Sequence, residues 1–129
     1  MVTTYEDFTQ DTLKYLHIFD YYDKPLFFIT KENNKLQLYR FINDDEDGVF
    51  KYFNAVITKD ELKGLLHKEI GVKELLTQLI QSQRMEYIFI DNYNKTVNRT
   101  SVKHIKDDEL PLYNHFVRTD DSTTTPINH

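Results

Sequence analysis

Between residues 25 and 57 the apolar positions fall into three runs, 25–30, 36–42 and 49–57, all rich in aromatic and branched side chains. Such runs predict three consecutive antiparallel strands. Asn33 and Asn34, between the first two runs, tolerate positive φ and predict a two-residue type I′ hairpin turn. That turn fixes a register in which Glu32 faces Lys35, Ile29 faces Leu38, Phe28 faces Tyr39 and Leu26 faces Phe41. The closing pair is opposite in charge and the inner pairs are apolar or aromatic, each worth roughly 0.2–1 kcal/mol. A slip of one residue would lose this agreement.

The same reading extends to both ends of the chain. Residues 5–12 read as a short helical turn or ordered arm pinned by Phe8, residues 13–19 as a first strand, and residues 20–25 as a turn. Pro25, lacking an amide donor, belongs at the start of the second strand. Thr58 and Glu61 have the spacing of a capping box. Leu62, Leu65, Leu66 and Ile70, then Val72, Leu75, Leu76, Leu79 and Ile80, repeat at helical spacing. Their combined apolar arc is too wide for one helix on a sheet, so two short helices are expected, with Gly71 ending the first. Residues 85–91 predict a strand, 92–95 a turn, 96–105 a returning strand, 106–111 a turn or single helical turn, and 112–117 a last edge strand. The Ser/Thr/Asp-rich residues 119–129 predict a disordered tail. The sum is one α+β domain over residues 1–118: an antiparallel sheet of about five to six strands with two short helices on one face.

Both faces of the central hairpin are apolar. Leu26, Phe28, Tyr39 and Phe41 share one, and Phe27, Ile29, Leu36 and Leu38 share the other. An antiparallel sheet with a solvated face alternates apolar with polar, and these strands do not. Two helices cover one face, which leaves the other for the chain's own ends, a second copy in a homodimer, or a different protein.

Composition narrows the function classes. The chain has 129 residues, a formal net charge of −5, nine Tyr, nine Phe, no Trp and no Cys. Without a clustered basic face, direct nucleic-acid binding is not expected. Without cysteine there is no disulfide, zinc thiolate or thiol nucleophile, consistent with a reducing compartment. Residues 1–7 lack the basic and apolar regions of a leader, and no run reaches the length of a membrane span. The expectation is a cytoplasmic protein with no membrane contact.

The candidate chemistry is sparse. His17, His67, His104, His115 and His129 fall on different predicted elements without metal-ligand spacing. Glycines only at 48, 64 and 71 exclude a phosphate-binding loop and a nucleophile elbow. Asn43, Asp45, Asp47 and Gly48 resemble the first half of a calcium loop, but Asn54 stands where its bidentate Glu belongs, which favours a solvated hairpin loop. No cofactor is expected. The reading is a non-enzymatic protein-interaction module that docks through Tyr21, Tyr22, Phe28, Tyr39 and Phe41 together with Asp44, Asp45, Glu46 and Asp47. The alternative is a metal-dependent hydrolase or nuclease that gathers Asp20, Asp23 and Asp91 at strand ends, against turn aspartates that cap backbone donors.

The segments Tyr21-Tyr-Asp-Lys-Pro-Leu-Phe-Phe28, Ile57-Thr-Lys-Asp-Glu-Leu62, Glu69-Ile-Gly-Val-Lys-Glu-Leu-Leu76 and Asp108-Glu-Leu-Pro111 resemble a family of short bacterial domains of unknown function. Its members open on a YYDxPLxF motif and carry a strand pair, a helix after S/T-x-E-x-L, and a late E-L-P. The resemblance implies this fold and a cytoplasmic bacterial or phage origin, implies no chemistry and leaves function open; the interaction module is read as an accessory, immunity or inhibitor protein.

Overall fold

The computed structural model describes residues 15–45 and 47–118, and the expected arm at 5–12 and tail at 119–129 lie outside them. Six strands form one antiparallel sheet in chain order: β1 Tyr15–Tyr22, β2 Lys24–Glu32, β3 Lys35–Asp44, β4 Val49–Ile57, β5 Glu86–Asp91 and β6 Thr96–Ser101. Two helices, α1 Lys59–Leu66 and α2 Val72–Gln81, separate β4 from β5. The fold is α+β.

The central hairpin is closed as its turn chemistry requires. Asn33 and Asn34 have φ of 53° and 64°, and Glu32 pairs with Lys35, Ile29 with Leu38 and Phe28 with Tyr39. The paired register reaches Phe27 opposite Arg40, one step short of Leu26 and Phe41. The preceding turn is tighter than expected. β1 runs on to Tyr22 opposite Lys24, and Asp23 alone turns the chain at φ 64°. Register shifts at three places along β1 add the twist that bulges bring to an edge strand.

Helix α1 starts at the predicted capping box: the Glu61 amide donates to Thr58 Oγ1 at 3.0 Å, and the Thr58 amide donates to Glu61 Oε1 at 2.8 Å. Two expectations change here. Gly71 does not end the first helix, which closes at His67, with Lys68 taking the positive φ of 59°. Gly71 is instead the N-cap of α2. Residues 112–117 form no strand. Pro111 removes a ladder donor, and the Asn114 side chain and His115 carbonyl cap α2, accepting from Glu74 N–H at 2.9 Å and Val72 N–H at 2.7 Å. The returning strand β6 also stops at Ser101, and Val102 turns inward to donate to the Met85 carbonyl at 3.0 Å.

Each face of the sheet buries its own cluster. Toward the helices, Phe27, Ile29, Leu38, Phe53 and Ala55 pack with Leu65, Val72, Leu75, Leu76 and Leu79. On the other face, Ile18, Phe28, Tyr39, Tyr52, Ile88 and Ile90 form a cluster drawn wholly from strands. Its rings shield one another: Phe28 stacks on Tyr39 at 5.0 Å, and Tyr15 and Phe41 stand edge-on to Phe28 and Tyr52 at 5.1 and 5.3 Å. Such pairs add about 0.5–1.5 kcal/mol beyond their buried area. Toward the Asn33–Asn34 end this face turns polar. Tyr39 Oη and Thr30 Oγ1 both donate to Glu32, and Asn54 donates to Gln37 and the Leu38 carbonyl while accepting from Arg99. These buried polar atoms keep their partners, as a low-dielectric site demands. No described helix is long and apolar enough to cross a membrane.

Candidate docking surface

Antiparallel order sends alternate connections to opposite ends of the sheet. The β1–β2 turn, the β3–β4 loop and the β5–β6 turn therefore share one end. That end carries Tyr21, Tyr22 and Tyr93, exposed by 48, 77 and 84%, and with them Asp23, Asp44, Asp45, Asp47 and Asp91. Lys24 belongs to the same end, but its ammonium lies over the Phe41 and Phe50 rings at 4.6 and 4.2 Å. The result is an acidic rim studded with tyrosines.

The rim is built, not loose. Asp45 Oδ1 accepts from the Asp47 and Val49 amides at 2.9 and 3.0 Å, and Gly48 takes φ +80° to complete the turn. The Gly48 carbonyl then accepts from Asn92 Nδ2 at 2.7 Å, which ties the β3–β4 loop to the β5–β6 turn. Asp91 Oδ1 accepts from the Tyr93 and Asn94 amides at 3.0 and 2.9 Å. Hydrogen bonds from the Asn94 backbone and side chain, and then from Tyr93, hold the Asp91 carboxyl below its usual range.

The sequence candidates divide. Tyr21, Tyr22, Asp44, Asp45 and Asp47 come together on this rim, while Glu46 lies outside the described residues. Phe28 and Tyr39 do not reach the surface: they are 1 and 0% exposed, and Phe41 is half-buried. The aromatic stacking described above turns those three rings inward to packing. Burial, first, and then the Glu32 carboxylate push the Tyr39 hydroxyl far above its ordinary pKa. The three aspartates of the hydrolase alternative are not convergent. Asp20 and Asp23 lie at β1 and its turn, and Asp91 ends β5, four strands away, which at about 4.8 Å per strand is roughly 19 Å. Among the described residues no group of three or more His, Asp or Glu has a geometry that holds a metal ion.

One arrangement was not expected as a site, although it takes in two of the sequence candidates, Asp20 and Phe41. Residues 115–118, pinned by the cap on α2, run beside the first three strands and close a cleft of about 270 Å³. Phe19, Leu26, Phe27 and Phe41 give it apolar walls, and Arg40, Asp20, His115 and Arg118 give it charge and polarity. Arg40 pairs with Phe27 on one side and Phe53 on the other, so it occupies a helix-facing position of β3. Period-two alternation from Leu36 and Leu38 already puts Arg40 on that face. A charged residue at an inward position was therefore the available signal.

No family model, curated protein or solved structure matches this chain, so the resemblance to the short bacterial domains rests on its motifs alone.

Proposed function

We propose that the chain is a non-enzymatic protein-interaction module of the cytoplasm that docks its acidic, tyrosine-bearing hairpin end on a basic surface of a protein partner. The observation that carries this reading is the placement of Tyr21, Tyr22 and Tyr93 with Asp44, Asp45, Asp47 and Asp91 along one end of the sheet. Exposed tyrosines supply contact area at low entropic cost, and interface energy concentrates in such aromatic anchors. Surrounding carboxylates steer a basic partner in and make the complex sensitive to salt. Turns fixed by Asp45, Gly48, Asn92 and Asp91 present these groups with little ordering left to lose on binding. An accessory, immunity or inhibitor protein of a bacterium or phage fits this design.

The test compares wild type with Asp44→Lys/Asp47→Lys and with Tyr22→Ala/Tyr93→Ala in quantitative pull-downs from a bacterial extract. The expected result is a protein enriched by wild type, lost with both variants and released by added salt. Equal recovery by all three proteins would place the docking surface elsewhere.

A further inference from the structure

Among the described residues, the cleft under residues 115–118 holds a cation with no carboxylate at ion-pair distance. The Arg40 guanidinium is 5.9 Å from the centroid of the Phe27 ring, and among the described residues it makes neither a hydrogen bond nor an ion pair. A half-buried arginine gives up part of its hydration, and a ring face satisfies none of its five N–H donors. Burial accordingly disfavours its charged form, and the nearby Asp20 carboxylate opposes that effect without closing to ion-pair distance. Arg118 and His115 line the same space. Phe19, Leu26, Phe27 and Phe41 make the remaining wall apolar.

We propose that this cleft binds an organic carboxylate carried on a compact apolar body, with the carboxylate forked on Arg40 and the body packed against Phe19 and Phe27. The planar guanidinium matches a carboxylate in a bidentate pair, the strongest of the ordinary charge-assisted hydrogen bonds. A volume of about 270 Å³ lies just below the usual range for drug-sized ligands, which selects a small one. Asp20 repels the anion and keeps the affinity moderate. This site is separate from the hairpin-end docking reading, and its test bears on neither the rim nor its partner.

Benzoate is the probe, with benzamide as its neutral isostere and inorganic phosphate as an anion without an apolar body. Titrations of the full chain are followed by NMR at the Arg40 Nε and the Phe19 and Phe27 rings. The expected result is that benzoate moves all three signals, benzamide and phosphate do not, and Arg40→Met weakens benzoate at least about tenfold, the loss of one charge-assisted contact. Asp20→Asn should tighten benzoate, a prediction that stands even if Arg40→Met fails to fold. No shift with benzoate overturns the proposal. Equal shifts with benzamide, or binding that survives Arg40→Met, would mean an apolar hollow alone, and phosphate binding as well as benzoate would remove the apolar body from the assignment.

Discussion

Asn114 occupies the space that a side chain at residue 71 would need. A Cβ built on Gly71 would sit 2.1 Å from Asn114 Oδ1, the same atom that accepts from the Glu74 amide at 2.9 Å. Gly71 has φ −78° and ψ 162°, an extended geometry open to any residue, so glycine is required here for close approach and not for backbone freedom. The cap of α2 is thus supplied from 40 residues away, and the same contact holds residues 115–118 over the Arg40 cleft.

Gly71→Ala should therefore expel Asn114 and cost at least the roughly 1 kcal/mol of a lost N-cap. Asn114→Ala loses the cap without the clash and should cost about the same 1 kcal/mol. The two changes share one contact, so the double variant should be less destabilised than the sum of the singles, as residues in contact are. Urea denaturation of the four proteins measures this. Strict additivity would mean that Gly71 and Asn114 do not act through one another.

His17 makes stability depend on pH. Its ring stacks on Phe19 at 5.8 Å, and its buried Nδ1 has no hydrogen-bond partner among the described residues. Burial lowers its pKa below the ordinary 6.5. The unfolded chain then takes up a proton before the folded one, so stability is full above the unfolded value and falls as pH drops from about 6.5 toward the lowered folded value. Denaturation midpoints measured from neutral to mildly acidic pH should fall for wild type and fall less for His17→Phe. Parallel curves for the two proteins would show that His17 stays solvated.

Glu61 acts in a lower range. Its carboxylate pairs with Arg84 and accepts from the Thr58 amide, and the Arg84 hydrogen bond, first among the causes, holds its carboxyl below the ordinary 4.5. A depressed carboxyl contributes stability above its unfolded value and loses it as pH falls through the folded one. Glu61→Gln should thus be less stable than wild type at neutral pH, and the gap should narrow as pH falls below the ordinary carboxyl range and close only below the depressed folded value, where both states are protonated. The pair is partly exposed, so added salt should narrow the neutral-pH gap as well.

The fold was legible where its determinants are local. Asn33 and Asn34 announce positive φ, and that turn carries the register through Phe28 and Tyr39. Thr58 and Glu61 announce a helix start within four residues. What escaped is long-range. Nothing near Asn114 says that it caps a helix 40 positions earlier, so residues 112–117 read as a strand and Gly71 as a stop. The rim was legible as acidic loops and turn tyrosines, but its assembly on one end needed the strand order. Phe28 and Tyr39 were placed on the correct face, yet mutual stacking buries them, and no pattern in one strand reveals what its neighbours shield.

The last prediction concerns the 3₁₀ turn at Asp107–Glu109 and separates a structural carboxylate from a reactive one. Glu109 is buried, accepts from Lys51 Nζ and from the Tyr87 hydroxyl, and has the Lys51 ammonium 4.1 Å over the Tyr87 ring. Burial, first, and then Glu109 push the Tyr87 hydroxyl well above its ordinary value. Every polar atom in this trio faces another, so its physical role is to clamp the turn and Leu110 onto the sheet. Glu109→Ala strands the Lys51 charge against two aromatic rings and should cost about 3 kcal/mol, the usual penalty for halving a buried pair. Lys51→Met combined with Glu109→Leu removes both charges and should recover most of that loss, because apolar replacement of a buried ion pair is often neutral. Urea denaturation reads both variants. A double variant as unstable as Glu109→Ala would mean that the trio contributes something beyond satisfying its own buried charges.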